Sequence, residues 1–165
     1  METIGIIGLG WLGEALAHDL IGHNIEVKGT VTSTEKAEKL KGVAIQAHVY
    51  KLGQNLPAAL LNATAYVITI PPRGKDYVQQ LKVLNSQLTS SAKIIFISST
   101  SVYPDNDSTV TEKDAVNRLS PHSGISLLDA EMAIAKNRKS ISILRMAGLY
   151  GPNRYPGRFM AGKTN

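Results

Sequence analysis

The sequence has 165 residues, of which 43% are hydrophobic, and this length and composition suit one globular domain with a buried core. It contains no cysteine, so thiol chemistry is excluded, and no apolar run reaches the roughly 18 residues of a membrane span. The net charge of +5 comes from scattered basic residues with few aromatic residues between them, which argues against nucleic-acid binding. We read these charges, including Lys136, Arg138 and Lys139, as solvated surface with a mild attraction for phosphate groups. The N-terminus has no signal-peptide features, which predicts a cytoplasmic protein.

The first thirty residues carry the clearest pattern. An Ile-rich run over residues 3–7 predicts a buried parallel strand. Gly8, Gly10 and Gly13 follow at G-x-G-x-x-G spacing, and apolar residues then recur with the period of an amphipathic helix. A second strand-like run covers residues 24–31. Strand, glycine turn, helix and strand in this order predict a dinucleotide-binding βαβ unit.

Each glycine of the turn has a physical role in such a unit. Gly8 permits the tight turn, Gly10 lets a pyrophosphate approach the backbone, and Gly13 lets the helix pack closely on the sheet. The first helical N–H groups, at Trp11, Leu12 and Gly13, are expected to face the phosphates. The Trp11 side chain is expected to pack the turn against the core or to shield the cofactor. A turn that binds nothing, or one that binds a flavin or another nucleotide, stays open as an alternative.

The end of the second strand bears on the choice between NAD and NADP. NAD-binding domains of this class place an Asp or Glu about 20 residues past the glycines to bond the ribose 2′-OH. Hydroxyl groups and a lysine suit a 2′-phosphate better, so the sequence favours NADP over NAD. The same hydroxyls also suit the cap of a helix beginning near residue 35, and both roles can hold. The residues concerned are Thr30, Thr32, Ser33, Thr34, Glu35 and Lys36.

The rest of the chain alternates strand-like and helix-like segments. Strands are predicted over residues 43–49, 65–70, 92–97 and 141–144, and helices over 35–41, 77–88 and 126–135, with a loop or short helix over 52–61 and a polar loop over 105–117. This alternation predicts an α/β fold, a Rossmann-like doubly wound parallel sheet with helices on both faces. No linker or repeat divides the chain, so residues 1–165 are expected to form one NAD(P)-binding domain. The four histidines show no metal-ligand spacing, and no metal site is predicted.

Ligands bind at the carboxyl ends of the strands in such a sheet. Three of these ends are chemically distinctive, and the first is expected to line the cofactor through Ile70, Pro71 and Pro72. The second is the Ser-Ser-Thr-Ser-Val-Tyr stretch of residues 98–103, and the third is the stretch over residues 145–152 that ends in Tyr-Gly-Pro.

Four blocks of the chain resemble the extended short-chain dehydrogenase/reductases, the group of NAD-dependent epimerases and dehydratases. They are the glycine turn, residues 98–103, residues 121–131 and residues 145–152, in the same order as in the family. The resemblance implies hydride transfer through a nicotinamide, acting on a small-molecule substrate similar to a sugar nucleotide. It also implies that Ser99, four residues before Tyr103, bonds the reacting oxygen.

One departure marks the chain as an atypical member. The resemblance places Ser123 where the family has its catalytic tyrosine, and Leu127 where it has its lysine. Serine cannot replace a tuned phenol near neutral pH without another base. His122 is a candidate substitute because imidazole titrates in that range. Ser99, His122 and Ser123 are therefore the candidate catalytic residues, and the alternative is a non-catalytic NADP-binding regulator.

The family continues past Tyr-Gly-Pro into a substrate-binding region, whereas this sequence ends at Asn165. Either the sequence is truncated before that region, or the protein is a shortened one. Apolar surface left open by a truncated sheet edge would favour oligomers, such as a homodimer, or instability.

Overall fold

The computed structural model describes residues 2–104, 107–116 and 122–157, without the side chains of residues 122–125. Six strands form the sheet of this described part: β1 (Thr3–Ile7), β2 (Glu26–Val31), β3 (Gln46–Val49), β4 (Ala65–Ile68), β5 (Lys93–Ser99) and β6 (Ile141–Met146). The α-helices are α1 (Trp11–Gly22), α2 (Thr34–Lys41), α3 (Tyr77–Gln87) and α4 (His122–Ala135), and short 3₁₀ helices cover Ala58–Leu60, Thr100–Val102 and Glu112–Asp114. Among these helices, none is long and apolar enough to cross a bilayer.

The strands run in the order β3-β2-β1-β4-β5-β6, and every neighbouring pair is parallel. The chain moves outward from β1 to β3 and then returns to build β4 to β6 on the other side of β1. The order therefore reverses between β1 and β4, which makes their carboxyl ends the switch point where such sheets bind ligands. The predicted doubly wound parallel fold is confirmed.

Two hydrophobic cores lie on opposite faces of the sheet. Successive residues of β1 contribute to different cores: Ile6 packs with α1 and α2, whereas Ile7 packs with α3 and α4. On the first face, Ala17 of α1 and Leu40 of α2 are buried. On the second, Leu84 of α3 is fully buried, as is Ile134 of α4. Successive side chains of a strand point to opposite faces of the sheet, and here both faces are covered by helices. The prediction of helices on both faces is confirmed.

The strand bounds differ from the predicted ones for local reasons. β3 starts at Gln46 because the three residues before it close the end of α2 instead of pairing with β2. The amides of Val43 and Ile45 both donate to the carbonyl of Leu40, at 3.1 and 3.2 Å. Ala44 has a φ of +60°, which a continuing strand does not allow. Apolar composition alone cannot separate a helix end of this kind from a strand.

Arg138 closes the ends of α3 and α4 together. Its guanidinium donates to the Asn85 side-chain oxygen and to the Thr89 carbonyl at 2.6 Å each, to the Leu88 carbonyl at 3.1 Å, and to the Asn85 carbonyl. The Asn85 amide donates in turn to the carbonyls of Ala133 and Lys136 at 3.0 Å. Our interpretation of Arg138 as solvated charge was therefore wrong, because it satisfies carbonyls that the end of α3 leaves unpaired.

We expect Arg138→Met to lower the free energy of unfolding by about 3 kcal/mol, because buried carbonyls lose a charged donor. Urea denaturation followed by circular dichroism measures this change. The control is Lys139→Met, which removes the same charge from an exposed neighbour and should stay within about 0.5 kcal/mol of the wild type. Equal stabilities for the two variants would contradict this role of Arg138.

Candidate functional site

The glycine turn lies at the switch point, between the end of β1 and the start of α1. Gly10 precedes the helix without a side-chain cap, and the first amide bonded within the helix is that of Glu14, which donates to the Gly10 carbonyl at 2.9 Å. The amides of Trp11, Leu12 and Gly13 are therefore first-turn donors without an intrahelical acceptor. Together with the positive end of the helix dipole, they form the kind of surface that binds phosphate.

The shape of the turn depends on two glycines. Gly8 has a φ of +108°, and a Cβ there would lie 2.9 Å from Cγ1 of Ile70. A Cβ at Gly13 would lie 2.2 Å from the Gly8 carbonyl oxygen, a distance that no side chain can occupy. At Gly10, by contrast, no described protein atom lies within 4 Å of the Cβ position. The tight turn and the close helix packing are confirmed, and the open side of Gly10 is where a ligand has room to approach.

Two threonines hold this turn from opposite sides. The Gly8 amide donates to Oγ1 of Thr30 at 2.8 Å, and the Leu9 amide donates to the Thr30 carbonyl at 2.7 Å. From the β4 side, Oγ1 of Thr69 donates to the Gly8 carbonyl at 2.5 Å. Thr30 is 2% exposed, so its predicted place among hydroxyls available to a ribose was wrong. Sequence reasoning missed Thr69, whose only signal is a hydroxyl directly after a strand that neighbours β1.

The residues after β2 gather at one surface cleft. The Ser33 hydroxyl accepts from the Lys36 amide at 3.3 Å, so Ser33 caps α2. The Lys36 ammonium pairs with Oε2 of Glu14 at 2.8 Å, which joins α2 to α1. A cleft of about 330 Å³ is lined by Glu14, Ser33, Glu35, Lys36 and Lys39. Thr32 and Thr34 are exposed on either side of Ser33.

The segment after β4 forms the opposite lip of the turn. Ile70 is half-buried beside Gly8, while Pro71 and Pro72 are exposed. The phenol of Tyr77 donates to the Ile70 carbonyl at 2.8 Å and holds this lip to the start of α3. Burial raises the pKa of Tyr77, so the phenol keeps its proton and remains a donor.

Two adjacent serines at the end of β5 have different partners. Ser98 is 5% exposed, and its hydroxyl donates to Oε1 of Glu131 at 2.6 Å. Ser99 is half-buried, and its hydroxyl oxygen accepts from the Ser101 amide at 3.2 Å. The Ser99 hydroxyl proton is not used in that bond. Ser99 therefore still has a donor at the carboxyl edge, where the resemblance implies one.

Glu131 and Arg145 form the central ion pair of this half of the sheet. Nε and Nη2 of Arg145 donate to the two carboxylate oxygens at 3.1 and 2.8 Å, a bidentate pair with Glu131 only 4% exposed. Nη1 of Arg145 donates to the Tyr103 hydroxyl at 3.2 Å and to the Glu112 carbonyl at 3.1 Å. The Glu131 carboxylate raises the pKa of Arg145. The pair links three of the blocks that carry the resemblance.

Of the candidate acid–base positions, the structure describes the side chain of Leu127 alone. The side chains of His122 and Ser123 lie outside the described part of the chain. Leu127 is 5% exposed and packs with Val102 and Leu128, so it adds neither charge nor a hydrogen bond. Among the described residues, no three His, Asp or Glu side chains are grouped to hold a metal ion.

Trp11 packs against a turn that follows β6. Its indole Nε1 donates to the Pro152 carbonyl at 2.8 Å, and the guanidinium carbon of Arg154 lies 4.5 Å from the ring centroid. Gly151 and Arg154 pair as an antiparallel bridge that closes this turn. Of the two roles expected for Trp11, packing against the core was wrong, because its neighbour is a surface turn from the far end of the described chain. Shielding of the cofactor stays a prediction.

Residues 3–130 match the sequence profile of the NAD-binding domain of 6-phosphogluconate dehydrogenase, which covers more than half of the chain. The chain belongs to this family. Protein YeeZ of Escherichia coli K12 is 38% identical over 178 aligned positions, which cover 99% of this chain and 65% of YeeZ. The chain therefore spans about two-thirds of the length of this curated relative.

Solved structures share the fold of this NAD-binding domain. MoeE5, in complex with UDP-glucose and NAD, superimposes with a TM-score of 0.75 at 21% identity over 96% of this chain and 58% of MoeE5. Gre2 of Candida albicans, in complex with NADPH, gives 0.67 at 18% identity over 92% of this chain and 59% of Gre2. Other structural neighbours are a short-chain dehydrogenase/reductase and an NAD-dependent epimerase/dehydratase, so the resemblance is confirmed at the level of the fold. The chain is an NAD(P)-binding Rossmann domain, and a nicotinamide dinucleotide is its cofactor class.

We expect Thr69→Val to weaken binding of the nicotinamide dinucleotide about threefold to tenfold and to lower the free energy of unfolding by about 1 kcal/mol, because the Gly8 carbonyl loses its donor. Calorimetric titration measures the affinity. The matched control is Thr64→Val at the other end of β4, where Oγ1 donates to the Thr3 carbonyl at 3.1 Å. The control should leave the affinity for NADH and NADPH unchanged, and equal losses of affinity in both variants would contradict a specific effect on the turn.

Proposed function

We propose that this domain binds NADP(H), with the glycine turn at the pyrophosphate and the cleft after β2 at the adenosine 2′-phosphate. The observation that carries the choice of NADP is the grouping of Lys36, Lys39 and the Ser33 hydroxyl in that one cleft. Lysine ammonium groups and hydroxyls are donors that suit a phosphate dianion. The β2 end itself carries Thr32 and Ser33 instead of the acidic residue that bonds a free ribose 2′-OH.

Two carboxylates, those of Glu14 and Glu35, line the same cleft. The Glu14 carboxylate lies 2.8 Å from the Lys36 ammonium and neutralises one of the two cations available to a phosphate. Both side chains are about one-third exposed, so the pair is partly screened by solvent and can open. The affinity for a 2′-phosphate then depends on how readily Lys36 exchanges Glu14 for the ligand.

We propose hydride transfer, on a substrate similar to a sugar nucleotide, as the chemistry at the other end of the site. A bound nicotinamide supplies the hydride donor or acceptor. Ser99 would donate its hydroxyl proton in a hydrogen bond to the reacting oxygen from the carboxyl end of β5. Ser98, bonded to buried Glu131, keeps that strand end in place.

The second candidate is a protein that binds NADP without catalysis and reports redox state to a partner. Leu127 favours it, because the position that resembles the family's lysine is a buried leucine in an apolar cluster. No charge at that place can lower the pKa of a neighbouring acid. His122 and Ser123 are the residues through which chemistry would have to proceed if the first candidate holds.

We further propose that residues 1–165 act as one dinucleotide-binding domain in the cytoplasm, without a membrane or nucleic-acid partner, and that the domain forms a homodimer. β6 lies at the edge of the sheet, and Leu144 on it is 40% exposed. An apolar strand edge of this kind is suited to association. Light scattering across a range of protein concentrations tests the dimer.

We expect the wild type to bind NADPH more tightly than NADH. Lys36→Met should lower the affinity for NADPH roughly tenfold and leave the affinity for NADH nearly unchanged, because a charged contact is lost only from the 2′-phosphate. Calorimetric titration of both nucleotides measures this. The control is Lys41→Met in the same helix, since Lys41 pairs with Glu38 outside the cleft. A wild type that prefers NADH, or a Lys36→Met loss shared by both nucleotides, would overturn the assignment of NADP.

We expect Glu14→Gln to raise NADPH affinity about threefold with no gain for NADH, because Lys36 is released from its carboxylate partner. The same titrations measure the ratio of the NADPH affinity to the NADH affinity. A gain for both nucleotides would show a general charge effect.

Incubation with a panel of sugar nucleotides that includes UDP-glucose, with NADPH or NADP and with NADH or NAD, distinguishes the two candidates. Turnover, followed by nicotinamide absorbance and NMR of the sugar, supports an enzyme. Loss of that turnover in Ser99→Ala at unchanged NADPH affinity would place Ser99 in the reaction. Tight NADPH binding with no turnover of any sugar nucleotide supports the regulator.

A further inference from the structure

The segment that follows β6 brings the chain back to Trp11 at the start of α1. β6 ends at Met146, and Gly151 already lies against Trp11 at the start of α1. β5 and β4 stand between β6 and β1, a separation of about 14 Å at the usual strand spacing. Residues 147–150 join these two points, and at about 3.3 Å per residue they allow only a short path between them. The segment therefore leads from the carboxyl end of β6 towards the glycine turn.

The turn at the far end of this segment is held in one orientation. The Gly151 amide donates to the Arg154 carbonyl at 3.0 Å, and the Arg154 amide donates back at 2.9 Å. The Pro152 carbonyl accepts from the indole of Trp11 at 2.8 Å. A Cβ at Gly151 would lie 3.0 Å from Cζ2 of Trp11, so the backbone approaches the ring closely. These contacts place the Arg154 side chain over the face of the indole.

Arg154 brings a positive charge to the ring of Trp11, the residue that follows Gly10 of the glycine turn. Its guanidinium carbon is 4.5 Å from the ring centroid of Trp11, a cation–π contact that orients the group without consuming its N–H donors. Trp11 is the first residue of α1, so the guanidinium on its ring belongs to the surroundings of that helix N-terminus. Among the described residues, no carboxylate forms an ion pair with Arg154, in contrast to Lys36 and Arg145. Its charge and donors are therefore available to an anion.

We propose that Arg154 binds the pyrophosphate of the dinucleotide and that residues 147–154 close the site over the crevice. This inference rests on the proposed function. The match to the NAD-binding family ends at residue 130, so it assigns no role to this segment. An arginine fits the task because its planar fork can bond two phosphate oxygens while its face stays stacked on an aromatic ring.

The test separates the pyrophosphate from the 2′-phosphate by the choice of ligand. NADPH carries both groups, ADP-ribose carries only the pyrophosphate, and adenosine 2′-monophosphate carries only the 2′-phosphate. The wild type, Arg154→Met, Arg154→Lys and Lys36→Met are each titrated with all three ligands. Lys139→Met removes a charge from the opposite edge of the sheet and serves as the control for net charge.

We expect Arg154→Met to weaken NADPH and ADP-ribose roughly tenfold and to leave adenosine 2′-monophosphate unchanged, because one charged phosphate contact is lost. Arg154→Lys keeps the charge but loses the planar fork, so its affinities for NADPH and ADP-ribose should fall between those of the wild type and Arg154→Met. Lys36→Met should weaken NADPH and adenosine 2′-monophosphate and leave ADP-ribose unchanged. Unchanged affinities in Arg154→Met, or equal losses for all three ligands, overturn this inference while Lys36→Met still tests the proposed function. A wild type that binds none of the three ligands overturns both.

The Arg154 variants could also release the turn from Trp11, and fluorescence detects this directly. Trp11 is the only tryptophan of the sequence, so emission reports on this one contact. An unshifted emission maximum with selective loss of the pyrophosphate ligands supports a direct contact. A red shift in the free protein, together with the same loss in Arg154→Lys, shows that the turn itself supports the site and overturns the charge contact.

Discussion

The close approach of α1 to the end of β1 is the constraint on which the rest of this structure depends. Only glycine fits at position 13, because a Cβ there would lie 2.2 Å from the Gly8 carbonyl oxygen. That approach directs the first helical amides at the switch point of the sheet. Thr30 and Thr69 then hold the turn from the two neighbouring strands. The phosphate-binding geometry is thus built by three adjacent strands and does not depend on a flexible loop.

The second half of the sheet is organised by a different interaction. The Glu131–Arg145 pair joins α4 to β6, takes in Ser98 from β5, and reaches the loop after β5 through Tyr103. A buried bidentate pair requires all its members in place, since removal of one leaves an uncompensated charge. It explains why three separated blocks of sequence share one resemblance. It also sets the edge on which Ser99 and the segment after β6 lie.

Charge in this protein is more specific than its scattered distribution along the chain indicates. Arg138 serves the ends of two helices, Lys36 pairs across to α1, and Arg154 stacks on Trp11. None of the three is a simple solvated side chain. Two of them lie at the carboxyl edge, where the domain would meet phosphates, and the third stabilises the opposite edge. The net charge of the sequence therefore does not show which cations pair with other groups of the protein and which lie at the carboxyl edge.

The sequence by itself determined the elements, their alternation and the glycine turn, because helix period, strand composition and glycine spacing are local properties. It also placed Gly8, Gly13 and the Ser33 cap correctly for that reason. Only the tertiary structure decided which distant groups meet. Thr69 reaches Gly8 across 61 residues, and Trp11 reaches Pro152 across 141. No local pattern encodes such pairs, because the order of strands in the sheet brings them together.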